Sequence, residues 1–256
     1  RRLYLQDAFP GLCIDELNEE HVTKWFAEVN RQTGPGAANM AFGLMRLLLN
    51  KAEDWGYRLE NTNPCRVLRP NRNRPCERFL TNEELGRLGT VLAKEREGNH
   101  AMRSLAAKAA TVFILTGCRR GEIMGLHWKD IRGNRIKLRH GKSGPRMVWL
   151  GDEARAVIET IPRYDKIPWV FWNTPYRRPM TTIDTHWRKF REEAGLQSLR
   201  VHDLRHTFAS HAAMNKETLP MIGRLLGHAN AGSTVRYAHF DDDHVLEAAE
   251  QIGAAI

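Results

Sequence analysis

Hydrophobic positions recur at helical spacing along most of the chain. Val22, Trp25, Phe26 and Val29 fall on one face of a segment that opens at Asn18, a capping residue, with Glu19 and Glu20 at the positive end of the helix dipole. The stretch 32–36 breaks that pattern. A longer amphipathic segment follows, with Met40, Leu44, Leu47 or Leu48, and Ala52 or Trp55 on one stripe, and it stops near Gly56. Together they predict a compact helical unit.

Between Asn61 and Arg78 the periodicity disappears. Pro64, Pro70 and Pro75 interleave with Arg66, Arg69, Arg72, Arg74 and Arg78, which predicts a basic interdomain linker, although a solvated surface loop has the same composition. Thr81 and Glu84 then form a T-x-x-E capping box opening a helix through about Leu92, and 101–116 reads as a buried helix. Short alternating runs at 135–139 and 147–150 flank Gly141-Lys142-Ser143-Gly144-Pro145, the signature of a β-hairpin. Helical patterning returns at 182–193, 203–214, 219–226 and 243–252. The expected fold class is therefore mainly α with a small antiparallel β-sheet (α+β).

A chain of 256 residues with 42% hydrophobic and 27% charged positions can bury a core in two small domains. No apolar run approaches the roughly 18 to 20 residues that span a bilayer. The N-terminus lacks a signal peptide and an initiating Met, so a fragment of a cytosolic protein is expected. Cys13, Cys65, Cys76 and Cys118 stand far apart without zinc-module spacing, which predicts reduced thiols. Lys+Arg 39 against Asp+Glu 30 gives a formal charge of +9, favouring a polyanionic partner without separating nucleic acid from an anionic membrane.

Five local signals carry chemistry, each with a plainer explanation beside it. In Thr116-Gly117-Cys118-Arg119-Arg120-Gly121-Glu122 a buried helix meets a turn bearing two guanidiniums, which can fork onto a phosphate or simply decorate a helix end. Lys142, at the predicted hairpin tip among Lys137, Arg139 and Arg146, can deliver a proton or contact a base edge, or be merely solvated. His202 and Arg205, three residues apart, can converge on one anion. His206 and His211 invite a metal reading, but Asp203 stands where a zincin needs Glu, so no metal is expected. Gly227 leaves His228 at a helix C-terminus, ordinarily a cap, and Tyr237 follows nine residues on, ordinarily a packing residue.

Taken in order, Arg119, Lys142, His202, Arg205, His228 and Tyr237 match an active-site pattern, and the chain resembles a phage-type integrase of the tyrosine recombinase family. T-G-C-R-R-G-E, G-K-S-G, H-D-L-R-H-T-F-A-S, L-L-G-H and R-Y-A-H carry the resemblance across 81–240; residues 14–78 are similar, less specifically, to the family's helical core-binding domain. The resemblance implies a core-binding domain at 1–68, truncated at its N-terminus, a basic linker at 69–80, and a catalytic domain at 81–256 with a C-terminal helix that docks on a neighbouring protomer or packs on its own domain. The arm-binding domain of many phage integrases is absent, so autonomous integration is not expected.

In such an enzyme Tyr237 would attack a DNA phosphodiester to form a 3′-phosphotyrosyl link. Arg119 and Arg205 would clamp the phosphate, Lys142 would protonate the leaving 5′ oxygen, His202 would exchange a proton with Tyr237, His228 would bond a non-bridging oxygen, and Glu122 would support the site. No cofactor, metal or ATP is implied. Arg66, Arg69, Arg72, Arg74, Lys137, Arg139 and Arg146 are the expected DNA-binding cations, on two domains closing around the duplex. The implied partners are double-stranded DNA, further copies in a homotetramer on paired sites assembled from monomers, and accessory DNA-bending proteins; the implied setting is the nucleoid in the cytoplasm, away from membranes. The implied function is integration or excision of a mobile element. Rival readings are a type IB topoisomerase, which usually carries Lys where His202 stands, a non-catalytic DNA-binding relative, which need not keep all six residues, and a metal-dependent nuclease.

Overall fold

The computed structural model describes residues 3–72, 78–139, 144–173, 177–228 and 230–240. The chain divides into two compact units, Arg1–Cys76 and Glu77–Ile256. Both are built mainly of helices, and the strands that accompany them are short and antiparallel.

The first unit holds α1 (Leu3–Gln6), α2 (Glu19–Thr33), α3 (Pro35–Asp54) and a 3₁₀ turn at Pro64–Arg66. Asn18 caps α2 as its sequence position predicts: its side chain accepts from the His21 N–H, and the His21 ring reaches back to the Asn18 N–H. Gly34, at φ +83°, turns the chain from α2 directly into Pro35. Val22, Trp25 and Val29 pack against Ala38, Ala41, Phe42, Met45 and Leu49.

That stripe corrects the predicted phase of α3. Met40, Leu47, Leu48 and Trp55 are exposed, and Leu44 is half-buried. Apolar residues surround α3 on nearly every side, so periodicity alone cannot choose a face, whereas small Ala38 and Ala41 admit α2 closely.

The second unit is organised on α5. Its α4 (Asn82–Glu97) opens on the expected Thr81–Glu84 capping box and runs past Leu92. Next comes α5 (Ala101–Thr116), which buries Ala106, Ala107, Ala109, Ala110, Val112 and Phe113 and packs against α4, α7 (Asp152–Glu159), α8 (Asp184–Glu193) and α9 (Asp203–Met214). Alanine on so many faces lets several helices approach one axis.

Between α5 and α7 lie α6 (Arg120–Met124) and a sheet of order β1 (Ile131–Arg132), β2 (Arg135–Leu138) and β3 (Arg146–Trp149), antiparallel throughout, with Ile136 opposite Val148. Ile136, Leu138 and Val148 enter the core. A two-stranded ribbon, β4 (Trp172–Asn173) and β5 (Arg178–Pro179), precedes α8. After α9 come α10 (Leu219–Leu226) and 3₁₀ turns at Ala231–Ser233 and Val235–Phe240. Lys142 and the expected helix at 243–252 lie outside the described residues. Among the described residues no helix is long and apolar enough to cross a membrane.

Candidate active site

The site is assembled where α5, α9 and α10 end or begin. Gly117 closes α5 in the left-handed region, at φ +59°, and a Cβ there would lie 2.6 Å from the Phe208 ring and 2.9 Å from Leu226. Only glycine lets this turn press against α9 and α10 together. It delivers Arg119 to the start of α6, where the Glu122 carboxylate accepts the Arg119 backbone N–H at 2.8 Å and its Nη1 at 3.1 Å.

Three guanidiniums then meet one helix end. The last carbonyls of a helix lack intrahelical donors and carry the negative end of its dipole. At α10 the Leu225 oxygen accepts from Arg146 Nη1 at 3.0 Å, the Leu226 oxygen from Arg205 Nη2 at 2.9 Å, and the Gly227 oxygen from Arg119 Nη2 at 3.3 Å. Arg205 also donates to the Gly117 carbonyl at 2.7 Å. Consecutive carbonyls thus aim the arginines from three separate elements.

Arg205 is only 5% exposed, yet among the described residues it has no carboxylate partner. Burial, followed by repulsion from Arg119 and Arg146, pushes its pKa down to about 10. A buried cation held by neutral carbonyls is prepared to receive an anion. Glu122, by contrast, is engaged: burial raises its carboxyl, but the hydrogen bonds and charges of Arg146 and Arg119 outweigh that and hold it below the usual carboxylate value.

Histidines flank the arginines. His228, just beyond the left-handed Gly227, has Nδ1 2.7 Å from the hydroxyl of buried Thr234, and burial with the Arg205 and Arg119 charges pushes it down to about 4. His202, at the entry to α9, is lowered by burial and by Arg205. Its ring meets His206 edge to face at 5.1 Å. His206, pushed down to about 4 chiefly by burial, holds Nδ1 2.9 Å from the Tyr237 hydroxyl. Both rings are neutral near pH 7.

Tyr237 sits on the Val235–Phe240 turn, 4% exposed, among Ala209, Ala213, Ile222 and Leu226. Burial raises its phenol, and Arg236 and Arg205 pull it partly back. In this position the hydroxyl faces His206 on α9, and the residue is shielded from solvent.

The structure thus gathers Arg119, Arg205, His202, His228, Tyr237 and Glu122, while Lys142 and Arg74 lie outside the described residues. The expected DNA-contacting cations divide. Arg66 pairs with Glu53 at 2.6 Å and Arg139 with Asp130 at 2.8 Å. Arg146, expected among the same cations, instead turns inward onto Glu122 at 2.7 Å with its side chain only 10% exposed, which sets it apart from the exposed ones. Arg69, Arg72 and Lys137 are exposed, with no ion-pair partner among the described residues.

Sequence reasoning missed five supports. His206 and Thr234 touch Tyr237 and His228 across separations that no local pattern reveals. Asp203, 1% exposed, binds Arg200 through both oxygens and fixes the entry to α9. Thr207 and His211 hold the Leu80 backbone, Thr207 accepting its N–H at 3.0 Å and His211 Nε2 donating to its carbonyl at 2.7 Å. The spacing of Asp203, Thr207 and His211 along one face of α9 was the available signal.

Residues 78–244 match the phage integrase family. The integrase of Escherichia phage 186 is 25% identical over 94% of this chain and 68% of its own length. The tyrosine recombinase XerC of Thermodesulfovibrio yellowstonii is 29% identical over 72% of this chain and 65% of its own. Among solved structures, the XerH site-specific recombinase in a post-cleavage complex with DNA superposes at TM-score 0.73, with 20% identity, covering 96% of this chain and 75% of that one. A lambda integrase dimer on a core site superposes at 0.71, with 15% identity, covering 92% and 84%. The family match covers the greater part of the sequence, including every residue of the arginine and histidine cluster, and the chain belongs to the phage integrase family of tyrosine recombinases.

Proposed function

We propose that the chain cuts and rejoins double-stranded DNA at specific sites by tyrosine transesterification, in the integration or excision of a mobile element. The observation that carries this reading is the pair Arg119 and Arg205, aimed by the Gly227 and Leu226 carbonyls, with Arg205 buried and lacking a carboxylate among the described residues.

The chemistry follows from charge and proton placement. Tyr237 leaves His206 as the Val235–Phe240 turn moves, its proton passes to His202, and its oxygen bonds to phosphorus. The bond from phosphorus to the 5′ oxygen breaks, and Lys142 protonates the departing alkoxide. The phosphate gains negative charge in the transition state, where two fixed guanidiniums and a His228 N–H bind it more strongly than in the ground state. Neutral His202 can accept the phenolic proton because burial and Arg205 keep it from being occupied already. The phosphotyrosine ester retains the energy of the broken linkage, so attack by the 5′-hydroxyl of a second strand reseals DNA without ATP.

In this reading residues 1–68 bind the core site and 69–80 link them to the catalytic domain. The working assembly is a homotetramer on paired sites. The lambda integrase tetramer bound to a Holliday junction has the same fold, which supports that expectation.

The test is covalent capture. A randomised pool of nicked duplexes is incubated with the protein, and DNA in denaturation-resistant adducts is recovered and sequenced. Wild type is expected to give adducts converging on one sequence; Tyr237→Phe is expected to give none while still shifting duplex in a gel. Adducts that persist in the variant would remove Tyr237 as the nucleophile. Strand exchange between two captured duplexes separates a recombinase from a topoisomerase, which only relaxes.

A further inference from the structure

Arg146 has a place in this site that its position beside the hairpin conceals. Its side chain is 10% exposed. Nη2 and Nε bind the two Glu122 oxygens at 2.7 and 3.2 Å, Nη1 reaches the Leu225 carbonyl at 3.0 Å, and Nη2 lies 3.7 Å from the Cys118 sulfur. The first residue of β3 is thereby fixed to α6 and to the C-terminus of α10. Gly227 leaves room for it: a Cβ there would lie 2.2 Å from Arg146 Cδ. A surface contact to a phosphate requires no such seat.

Glu122 is claimed from two sides. Arg146 grips it through two nitrogens, while the Arg119 guanidinium holds it through one, at 3.1 Å. Arg119 caps the start of α6 and Glu122 lies three residues on, already bonded to its backbone N–H, which is close enough for a two-pronged guanidinium–carboxylate pair. Such a pair would turn the Arg119 guanidinium away from any bound phosphate.

We propose that Arg146 is a positioning residue for the cleavage step: by saturating Glu122 and capping Leu225 it keeps Glu122 from gripping the Arg119 guanidinium through two nitrogens, leaving the outer N–H groups of Arg119 for the scissile phosphate. The inference rests on the recombinase reading of this site. Arg146 itself does not touch DNA.

The test compares Arg146→Met, Glu122→Gln, their double variant and Arg146→Lys in the 256-residue chain. Binding to a random-sequence duplex is measured across a salt series, and adduct formation is measured in single turnover at saturating protein on a captured nicked duplex. Arg146→Met is expected to keep wild-type affinity and salt slope while adduct formation falls about 10²-fold, the scale of a misplaced catalytic group. The double variant is expected to recover at least about tenfold of that loss, since no carboxylate remains to capture Arg119 and no buried charge is left unpaired. Arg146→Lys, which neutralises Glu122 without its fork, is expected to fall between wild type and Arg146→Met.

A salt slope reduced by about one unit in Arg146→Met would make the residue a phosphate contact and overturn the proposal. So would wild-type cleavage by Arg146→Met, or a double variant no faster than Arg146→Met. The double variant also serves if Arg146→Met fails to fold. Absence of adducts with wild type would instead defeat the recombinase reading, and the salt series would still report whether Arg146 meets DNA.

Discussion

The Tyr237 hydroxyl lies 2.9 Å from Nδ1 of His206, and both residues are buried. With its proton on Nε2, the neutral imidazole would accept the phenolic hydrogen and hold Tyr237 against α9. Replacing His206 by Leu leaves a buried hydroxyl without that partner, at a cost of about 1 to 3 kcal/mol. The cost falls on the stowed arrangement, and about 1.4 kcal/mol shifts the stowed-to-released equilibrium tenfold. His206→Leu should therefore lower the urea midpoint yet form adducts at least as fast as wild type, whereas His202→Ala should lose about 10² to 10⁴ in rate. A comparable loss in His206→Leu would show that His206 carries the proton.

Arg205 gives a separate expectation. Breaking a buried ion pair strands a charge and costs about 3 to 5 kcal/mol. Arg205 strands none, because its partners are the Gly117 and Leu226 carbonyls. In Arg205→Met the lost hydrogen bonds and the relieved burial of charge oppose each other, so stability should change by roughly 1 kcal/mol or less. Adduct formation should fall by about 10² to 10³, as for loss of one fixed donor to a developing oxyanion. A fall of several kcal/mol in chemical denaturation would mean that Arg205 holds the fold, whatever its part in adduct formation.

Stability should depend on pH through the same cluster. His206 and His228 both have folded-state pKa values of about 4, against an ordinary 6.5. Below 6.5 the unfolded chain takes up protons that the folded chain refuses, so stability is full above that pH and declines as pH falls toward 4. Each unit of difference is worth about 1.4 kcal/mol, giving a combined loss on the order of 3 kcal/mol or more across the window. Urea denaturation at pH 7.5, 6 and 5 measures it. His228→Gln should flatten the decline, and equal midpoints at pH 7.5 and 5 would contradict it.

How much of this was legible depended on the range of the interaction. Caps are local, so Asn18 and the Thr81–Glu84 box marked their helices directly, and α5, α9 and α10 followed from clear apolar spacing. The phase of α3 was lost because leucines occupy almost every side of it. The order of Arg119, His202, Arg205, His228 and Tyr237 pointed to the family, but the contacts that orient Tyr237, Arg205 and Arg119 join residues 31, 88 and 108 positions apart. The inward seat of Arg146 was hidden for the same reason. Sequence shows its charge and its turn; only the fold brings Glu122 beneath it.

Exposure predicts which cations bind duplex. A cation already paired in the free protein must exchange its carboxylate for a phosphate, while a solvated one only releases counterions. Arg66 and Arg139 belong to the first kind, through Glu53 and Asp130, and Arg72 and Lys137 to the second. The logarithm of the binding constant falls with the logarithm of salt at about 0.9 per neutralised phosphate, so several contacts give wild type a slope of several units. Arg72→Ala and Lys137→Ala should each reduce that slope by about one. Arg66→Ala and Arg139→Ala should change it by much less, since a cation already neutralised by its own carboxylate displaces few counterions from the duplex. Fluorescence anisotropy on a random-sequence duplex across a salt series reads all four slopes, and equal reductions would show that the ion pairs open on contact with DNA.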